Sequence, residues 1–358
     1  MKLGRPLADV AAEIMRQADT KLDYIADTRK LAMTTVAVAE VPEGTDIPKL
    51  SDVTQLVIDG DADSTFGINH NAHLQIGERV RIPTKYYQRM LEESPHLLTT
   101  NVNHWFGNAP ERRMIRTMDG NARAFLSERY RPLDNFDIAK RLLPKIADAH
   151  AEVVSCQVTD NRFYVKAFTD RVQGEVSVGD VVRAGVMISN SEVGQGSLQI
   201  CPVIERLVCK NGMVIADAGM RKYHVGRAND GTDGNGHEFF RDETRQADDK
   251  AFWMKAEDTV DAVLEQKTFD GILEKFKESK GIDIGDPIKA VEVITPKLSL
   301  SEDERSGVLR HLVGGGDLST WGLANAITRC AEDREDYDRA TEMEGMGWKV
   351  VTGAVSLN

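Results

Sequence analysis

Six arginines, Arg112, Arg113, Arg116, Arg123, Arg129 and Arg131, fall within twenty residues and meet only Asp119 and Glu128 there. The chain as a whole runs the other way, with 45 Lys+Arg against 57 Asp+Glu and a net charge of −12. The cluster is therefore a local reversal of sign. A guanidinium is a planar fork that matches phosphate oxygens two at a time. Phe125 and Tyr130 stand among the arginines, and aromatic rings stack on unpaired bases. These eight residues are the candidate nucleic-acid contacts. The same arginines would equally serve as ion-pair partners for the chain's many carboxylates, as bridges between subunits, or as a site for an acidic small molecule.

Other chemistry has thinner support. Glu192, in Asn190-Ser191-Glu192-Val193-Gly194-Gln195-Gly196, is a candidate general base or metal ligand, with Asp180 as a second carboxylate. No further ligand stands at metal-site spacing, and Asx and Ser bonding to the backbone accounts for the segment as a turn. The four cysteines, Cys156, Cys201, Cys209 and Cys330, form no CxxC pair, which argues for reduced thiols. Cys209 beside Lys210 lacks a neighbouring base. Among the eight histidines no HExxH occurs. Asp230 and Asp233 miss the register of a calcium loop. There is no GxxxxGK[ST] and no GxSxG, and Gly194-Gln195-Gly196 lacks the third glycine of a dinucleotide fingerprint. No catalytic residue, metal or cofactor is expected.

The elements that must carry these residues read as follows. Leu7, Val10, Ile14, Ala18, Leu22 and Ile25 recur at steps of three and four, which predicts one amphipathic helix over 6–31. Strands are predicted at Thr34–Val38 and Gln55–Ile58, around a turn-rich segment at Pro42, Gly44 and Pro48. Pro83 opens a helix through Leu91. Pro95 opens another toward Trp105, and Phe106–Pro110 reads as a loop.

Asp119-Gly120-Asn121 between Arg113–Met118 and Ala122–Ser127 predicts a hairpin. Period-2 alternation places Arg116 with Met114 and Met118 on one face of its strand, and Arg123 with Phe125 and Ser127 on one face of the next. A helix follows over 135–149 with Asn135 as its cap. Strands are then expected at Glu152–Val158, Arg162–Thr169, Val181–Ser189, Leu198–Val208 and Met213–Ile215, with Asp160-Asn161 and Cys209-Lys210-Asn211-Gly212 as turns. Residues 227–237 read as a loop. From Asp242 onward the pattern is helical, with a cap at Asp317 or Ser319 and Trp321, Ala324 and Ile327 on one packing face. The acidic run Glu332–Glu344 reads as a solvated helix face or an oligomer contact.

Strands and helices are segregated rather than alternating, which predicts an α+β fold. A largely antiparallel β core over 112–241 would be flanked by a mixed N-terminal region, 1–111, and a helical C-terminal region, 242–358.

Four segments resemble the phage/plasmid-like protein family catalogued as domain of unknown function 932. They are Ile82-Pro83 through Tyr86-Tyr87-Gln88-Arg89-Met90 to Asn101-Val102-Asn103; Arg116-Thr117-Met118-Asp119-Gly120 with Arg123-Ala124-Phe125-Leu126-Ser127 and Arg129 through Asn135; Asn190 through Gly194 leading to Arg206-Leu207-Val208-Cys209-Lys210-Asn211-Gly212-Met213; and Trp321 through Thr328. They span about residues 70–330. The resemblance implies a setting in phage or mobile-element genomes, near replication and recombination functions, and transfers no catalytic residue.

The expectation is a cytoplasmic protein, host-cytoplasmic if phage-encoded, since no stretch is long and apolar enough to span a bilayer. Its expected role is non-catalytic binding or annealing of single-stranded nucleic acid, with homo-oligomerisation multiplying weak sites along a strand. Two other readings stand beside it. One is a protein-interaction or host-takeover factor with an acidic surface; the other is a metal-dependent hydrolase or nuclease using Glu192 and Asp180.

Overall fold

The structure, a computed structural model, describes residues 1–36, 54–58, 64–223 and 242–357. The predicted turn-rich segment at 42–48 and the loop 227–237 lie outside these residues. The fold is α+β, as the segregation of strands and helices predicts, with two six-stranded sheets rather than one β core.

The first sheet contains β1 (Leu22–Asp27), β2 (Leu31–Thr35), β3 (Thr54–Ile58), β4 (Thr65–Ile68), β5 (Arg112–Met118) and β6 (Asn121–Ser127), in the order β1-β5-β6-β4-β3-β2. All its pairings are antiparallel except β4 with β6. The arginine hairpin thus sits inside a sheet drawn from both sides of residue 111, and not with the strands that follow it. On one face lie α2 (His70–Arg79), α3 (Thr84–Glu93) and α4 (Pro95–Asn108). They bury Ile76, Tyr87, Leu98, Val102 and Phe106 against Leu56, Phe66, Ile115 and Phe125. Helix α4 takes in most of the stretch expected to be a loop, because Phe106 is needed in that core.

The predicted helix over 6–31 is corrected. Helix α1 covers Leu7–Thr20 only, and Lys21 is extended (φ −80, ψ 142). Val10 and Ile14 are buried, as their spacing demands, but Leu22 and Ile25 are largely exposed. These two continue the helical spacing by coincidence, and pairing of β1 with β5 decides the conformation. A register of hydrogen bonds outweighs a weak intrinsic preference.

The β5–β6 hairpin turns at Asp119 and Gly120, with φ of 51° and 75°. Positive φ at both central residues is the type I′ geometry that an Asp-Gly pair selects.

The second sheet holds β7 (Glu152–Val158), β8 (Phe163–Glu175), β9 (Val181–Asn190), β10 (Leu198–Arg206), β11 (Asn211–Val214) and β12 (Met220–Lys222), all antiparallel, in the order β11-β10-β9-β8-β7 with β12 also on β10. Helices α1, α5 (Asn135–Asp148) and α6 (Asp242–Leu264) pack on Val165, Ala167, Val186 and Ile188. At its other end Val182, Ala184, Ile204 and Met213 meet α7 (Gln266–Lys280), α8 (Pro287–Lys297), α9 (Glu302–Gly315), α10 (Thr320–Cys330) and α11 (Tyr337–Val351). With both sides covered, β9 and β10 are almost continuously buried.

Ser319 caps α10, accepting from the Gly322 N–H, and Trp321, Ala324 and Ile327 are buried. The turn expected over Cys209–Gly212 is shifted by two residues: it is Leu207–Lys210, with Lys210 at φ 55°, and Asn211 opens β11. Its buried side-chain amide donates to Asn325 Oδ1 (2.9 Å) and Thr328 Oγ1 (2.6 Å). The acidic run is only partly a solvated face. Glu344 is fully buried and accepts from the equally buried Lys166 Nζ at 2.5 Å, tying α11 to β8.

Candidate nucleic-acid interface

The arginine cluster splits in two. Arg116 is about 1% exposed. Its Nε donates to Asp23 (2.9 Å), one Nη to the backbone carbonyl of Glu192 (2.9 Å) and the other to Asp134 (3.0 Å). Arg123 is also buried and donates Nη2 to Glu192 Oε2 at 2.5 Å. Glu192 Oε1 accepts the Asn135 N–H at 2.7 Å and faces Lys21 Nζ at 3.5 Å; Lys21 pairs with Asp134 at 2.8 Å. Three cations and three carboxylates, from α1's C-cap, β1, β5, β6, the start of α5 and the β9–β10 turn, thus neutralise one another where the two sheets meet.

A local irregularity aims Arg123 inward. Arg116 pairs with Ala124 and Thr117 with Ala122, so Arg123 is the extra residue of a β-bulge. A bulge breaks the two-residue alternation and redirects a side chain. The predicted shared face of Arg123, Phe125 and Ser127 is therefore corrected: Arg123 and Phe125 are buried in different surroundings and Ser127 is exposed.

The electrostatics follow from the geometry. Burial opposes the charge on Glu192, but Arg123, Lys21, Arg116 and the Asn135 N–H outweigh it and hold the carboxyl below its usual range. Asp134 is likewise held low by Lys21 and Arg116 against the cost of burial. A carboxylate whose lone pairs are occupied and whose basicity is reduced suits a structural role better than proton abstraction. Asp180, its expected partner in metal chemistry, belongs to a separate network with Arg206 and with Trp321 Nε1 (2.9 Å). Among the described residues no group of three His, Cys, Asp or Glu side chains is placed to hold a metal ion.

The aromatic candidates are also inside. Phe125 is buried and stacks on Phe106 at 5.6 Å between centroids, 14° from parallel. Tyr130 is buried, its hydroxyl donating to the Ser191 carbonyl at 3.0 Å. Neither ring face is open to a base. The residue expected to cap α5 moves by one: Asp134 is the N-cap, yet its side chain serves Arg116 and Lys21 instead of the helix.

Of the remaining arginines three face outward and Arg113 is half-buried. Arg112 is 62% exposed and meets Glu128 at 3.5 Å. Arg129 and Arg131 are exposed. Arg113 lies at the edge of an open trough, its guanidinium 5.5 Å from the centroid of the Phe125 ring. Both Arg113 and Arg79, the last residue of α2, donate to the same oxygen of Glu111. Two cations thus share one carboxylate, with the exposed Glu78 lining the same surface.

Two adjoining cavities, of about 490 and 630 Å³, form this trough and share Gln75, Glu78 and Arg81. Arg81 is exposed, at φ 57° in the turn after α2. The hairpin side of the trough is Arg113, Phe125, Leu126 and Ser127.

Sequence reasoning missed Arg79 and Arg81, since two arginines at a helix end read as ordinary complements of its dipole. It also missed Lys21, Asp23 and Asp134 as the partners of the buried pair. The isolated acids next to a basic run carried that signal, but only the fold brings them together.

No helix among the described residues is long and apolar enough to cross a membrane. No curated protein and no solved structure matches the chain. The model of the family described as Domain of unknown function (DUF932) matches residues 124–280. That range runs from β6 to the end of α7, taking in the Glu192 turn and the whole second sheet; the resembling segments at 82–103 and 321–328 fall outside it. Over residues 124–280, then, the chain carries a DUF932 domain.

Proposed function

We propose that the protein binds single-stranded nucleic acid, non-catalytically, along the trough between the end of α2 and the β5–β6 hairpin. The observation that carries this reading is the convergence of Arg79 and Arg113 on a single Glu111, with exposed Arg81 on the same open surface. An incoming phosphate would take over donor edges from a carboxylate that already serves two cations.

Arg112, Arg129 and Arg131 extend the cationic surface beyond the strand ends. Arg116, Arg123, Phe125 and Tyr130 act behind it as scaffold: Phe125 supports the Arg113 guanidinium from below, and the Glu192 network fixes the hairpin against the second sheet. Affinity in this reading comes from phosphates and is tolerant of sequence. A net charge of −12 elsewhere on the chain would confine polyanion binding to this face.

The test is the anisotropy of a labelled oligothymidylate titrated with the protein over a salt series, with a duplex of the same length beside it. Binding that weakens with salt is expected. Arg79→Ala, Arg81→Ala and Arg113→Ala should each reduce the magnitude of the log–log salt slope by about 1. Absence of binding at low salt, or slopes that do not respond to these substitutions, would remove the reading.

A further inference from the structure

We propose that β1 is a docking edge for a second copy of this chain, the two β1 strands pairing antiparallel about a twofold axis at Ile25. This inference is independent of what the trough binds.

The first sheet ends in β1 on one side and β2 on the other, and the two edges are treated differently. On β2 the Asn103 side chain of α4 closes the edge, its Oδ1 accepting the Met33 N–H at 2.7 Å and its Nδ2 donating to the Met33 carbonyl at 2.9 Å. The β7 edge of the second sheet is closed too. Arg5 N–H donates to the Cys156 carbonyl at 2.9 Å, and Gly4 N–H to Ser155 Oγ at 3.0 Å.

Among the described residues nothing comparable covers β1. Its pairing with β5, continued by the Thr28 N–H to the Glu111 carbonyl (2.9 Å), fixes which groups point inward. Tyr24 and Ala26 turn their N–H and C=O toward β5, so Asp23, Ile25 and Asp27 turn theirs away. Among the described residues no other element bonds the outward groups of Asp23 and Ile25, while the Asp27 carbonyl is the N-cap carbonyl of the short 3-10 helix Thr28–Lys30. An open row of this kind templates another strand unless charge, proline or a covering element blocks it.

The side chains favour a second copy as the occupant. Ile25 is 49% exposed on this edge. With the axis at Ile25, every outward residue of one copy finds an outward residue of the other: Ile25 meets Ile25 of the partner subunit, and Asp23 meets the partner's Asp27. The two acidic side chains brought together are each already neutralised within their own chain, Asp23 by Arg116 at 2.9 Å and Asp27 by Arg29 at 2.8 Å. The contact is isologous and closes on itself, as a twofold dimer requires.

Light scattering on the intact chain across a concentration series tests this. The expected mass at high concentration is twice the 39.7 kDa chain. Ile25→Pro removes the outward N–H without touching the bonds to β5, and Ile25→Lys places a charge on the axis; both should be monomeric. If the proline variant fails to fold by circular dichroism, the lysine variant decides. Val178→Lys, at a fully exposed residue remote from β1, should remain dimeric. A wild-type protein that stays monomeric throughout, or a dimer that persists in both Ile25 variants, would overturn the proposal.

Discussion

Arg116 and Arg113 stand three residues apart on one strand, and their surroundings assign them opposite work. Arg116 is enclosed by Asp23, Asp134 and the Glu192 carbonyl, so its charge is consumed inside the molecule. Arg113 shares Glu111 with Arg79 at the edge of an open trough, where the proposed function places a phosphate. The comparison teaches that an arginine-rich segment is not a unit of function. Burial and the ratio of cations to carboxylates around each guanidinium divide it into a scaffold half and a surface half.

The largest expected effect comes from breaking the closed half. Arg116→Ala removes the buried guanidinium that bridges Asp23, Asp134 and the Glu192 carbonyl and should cost about 3–5 kcal/mol in urea denaturation. Arg116→Lys should recover only a part, since one ammonium cannot reproduce a fork that reaches three acceptors.

A pH series gives the next effect and separates two groups. Burial, aided by the nearby His70, pushes His73 down to about 4 from an ordinary 6.5. Between those values the unfolded chain takes up a proton that the folded chain refuses. Stability should therefore fall as pH drops from 6.5 toward 4, by up to about 3 kcal/mol. His73→Gln should flatten that window in a thermal-melt series. The carboxyls of Glu192 and Asp134 act lower: their contribution is complete above the ordinary carboxylate range and is lost as pH falls through their reduced folded values.

The smallest stability effect belongs to the open half. Arg81→Ala should change folding free energy by less than about 0.5 kcal/mol, because the side chain is exposed. The same substitution should be visible in the oligonucleotide salt slope. A large loss of stability there would break the division between the halves.

Much of the fold was legible because local chemistry decided it. Asp119-Gly120 marked the hairpin, Asp317 or Ser319 the start of α10, and Trp321, Ala324 and Ile327 a buried stripe. What could not be read was set by distant partners. Leu22 and Ile25 continued a helical spacing until β5 claimed them as strand residues. The bulge at Arg123 has no local signature, yet it carries that side chain from the expected surface to Glu192. The candidate site was thus legible as a cluster of cations but not as two populations, since Asp23, Asp134 and Glu192 reach Arg116 and Arg123 from 18 to 93 residues away. Arg79 and Arg81, which complete the trough, lie more than thirty residues before Arg113.

The division is tested most directly by modifying arginines with phenylglyoxal in the folded protein, with and without oligothymidylate, and reading each site by peptide mass spectrometry. Arg81, Arg112 and Arg129 should react readily, Arg81 should be protected by the oligonucleotide, and Arg116 and Arg123 should stay unmodified in both samples. Modification of Arg116 or Arg123 in the folded chain, or equal reactivity of Arg81 with and without the oligonucleotide, would contradict the account.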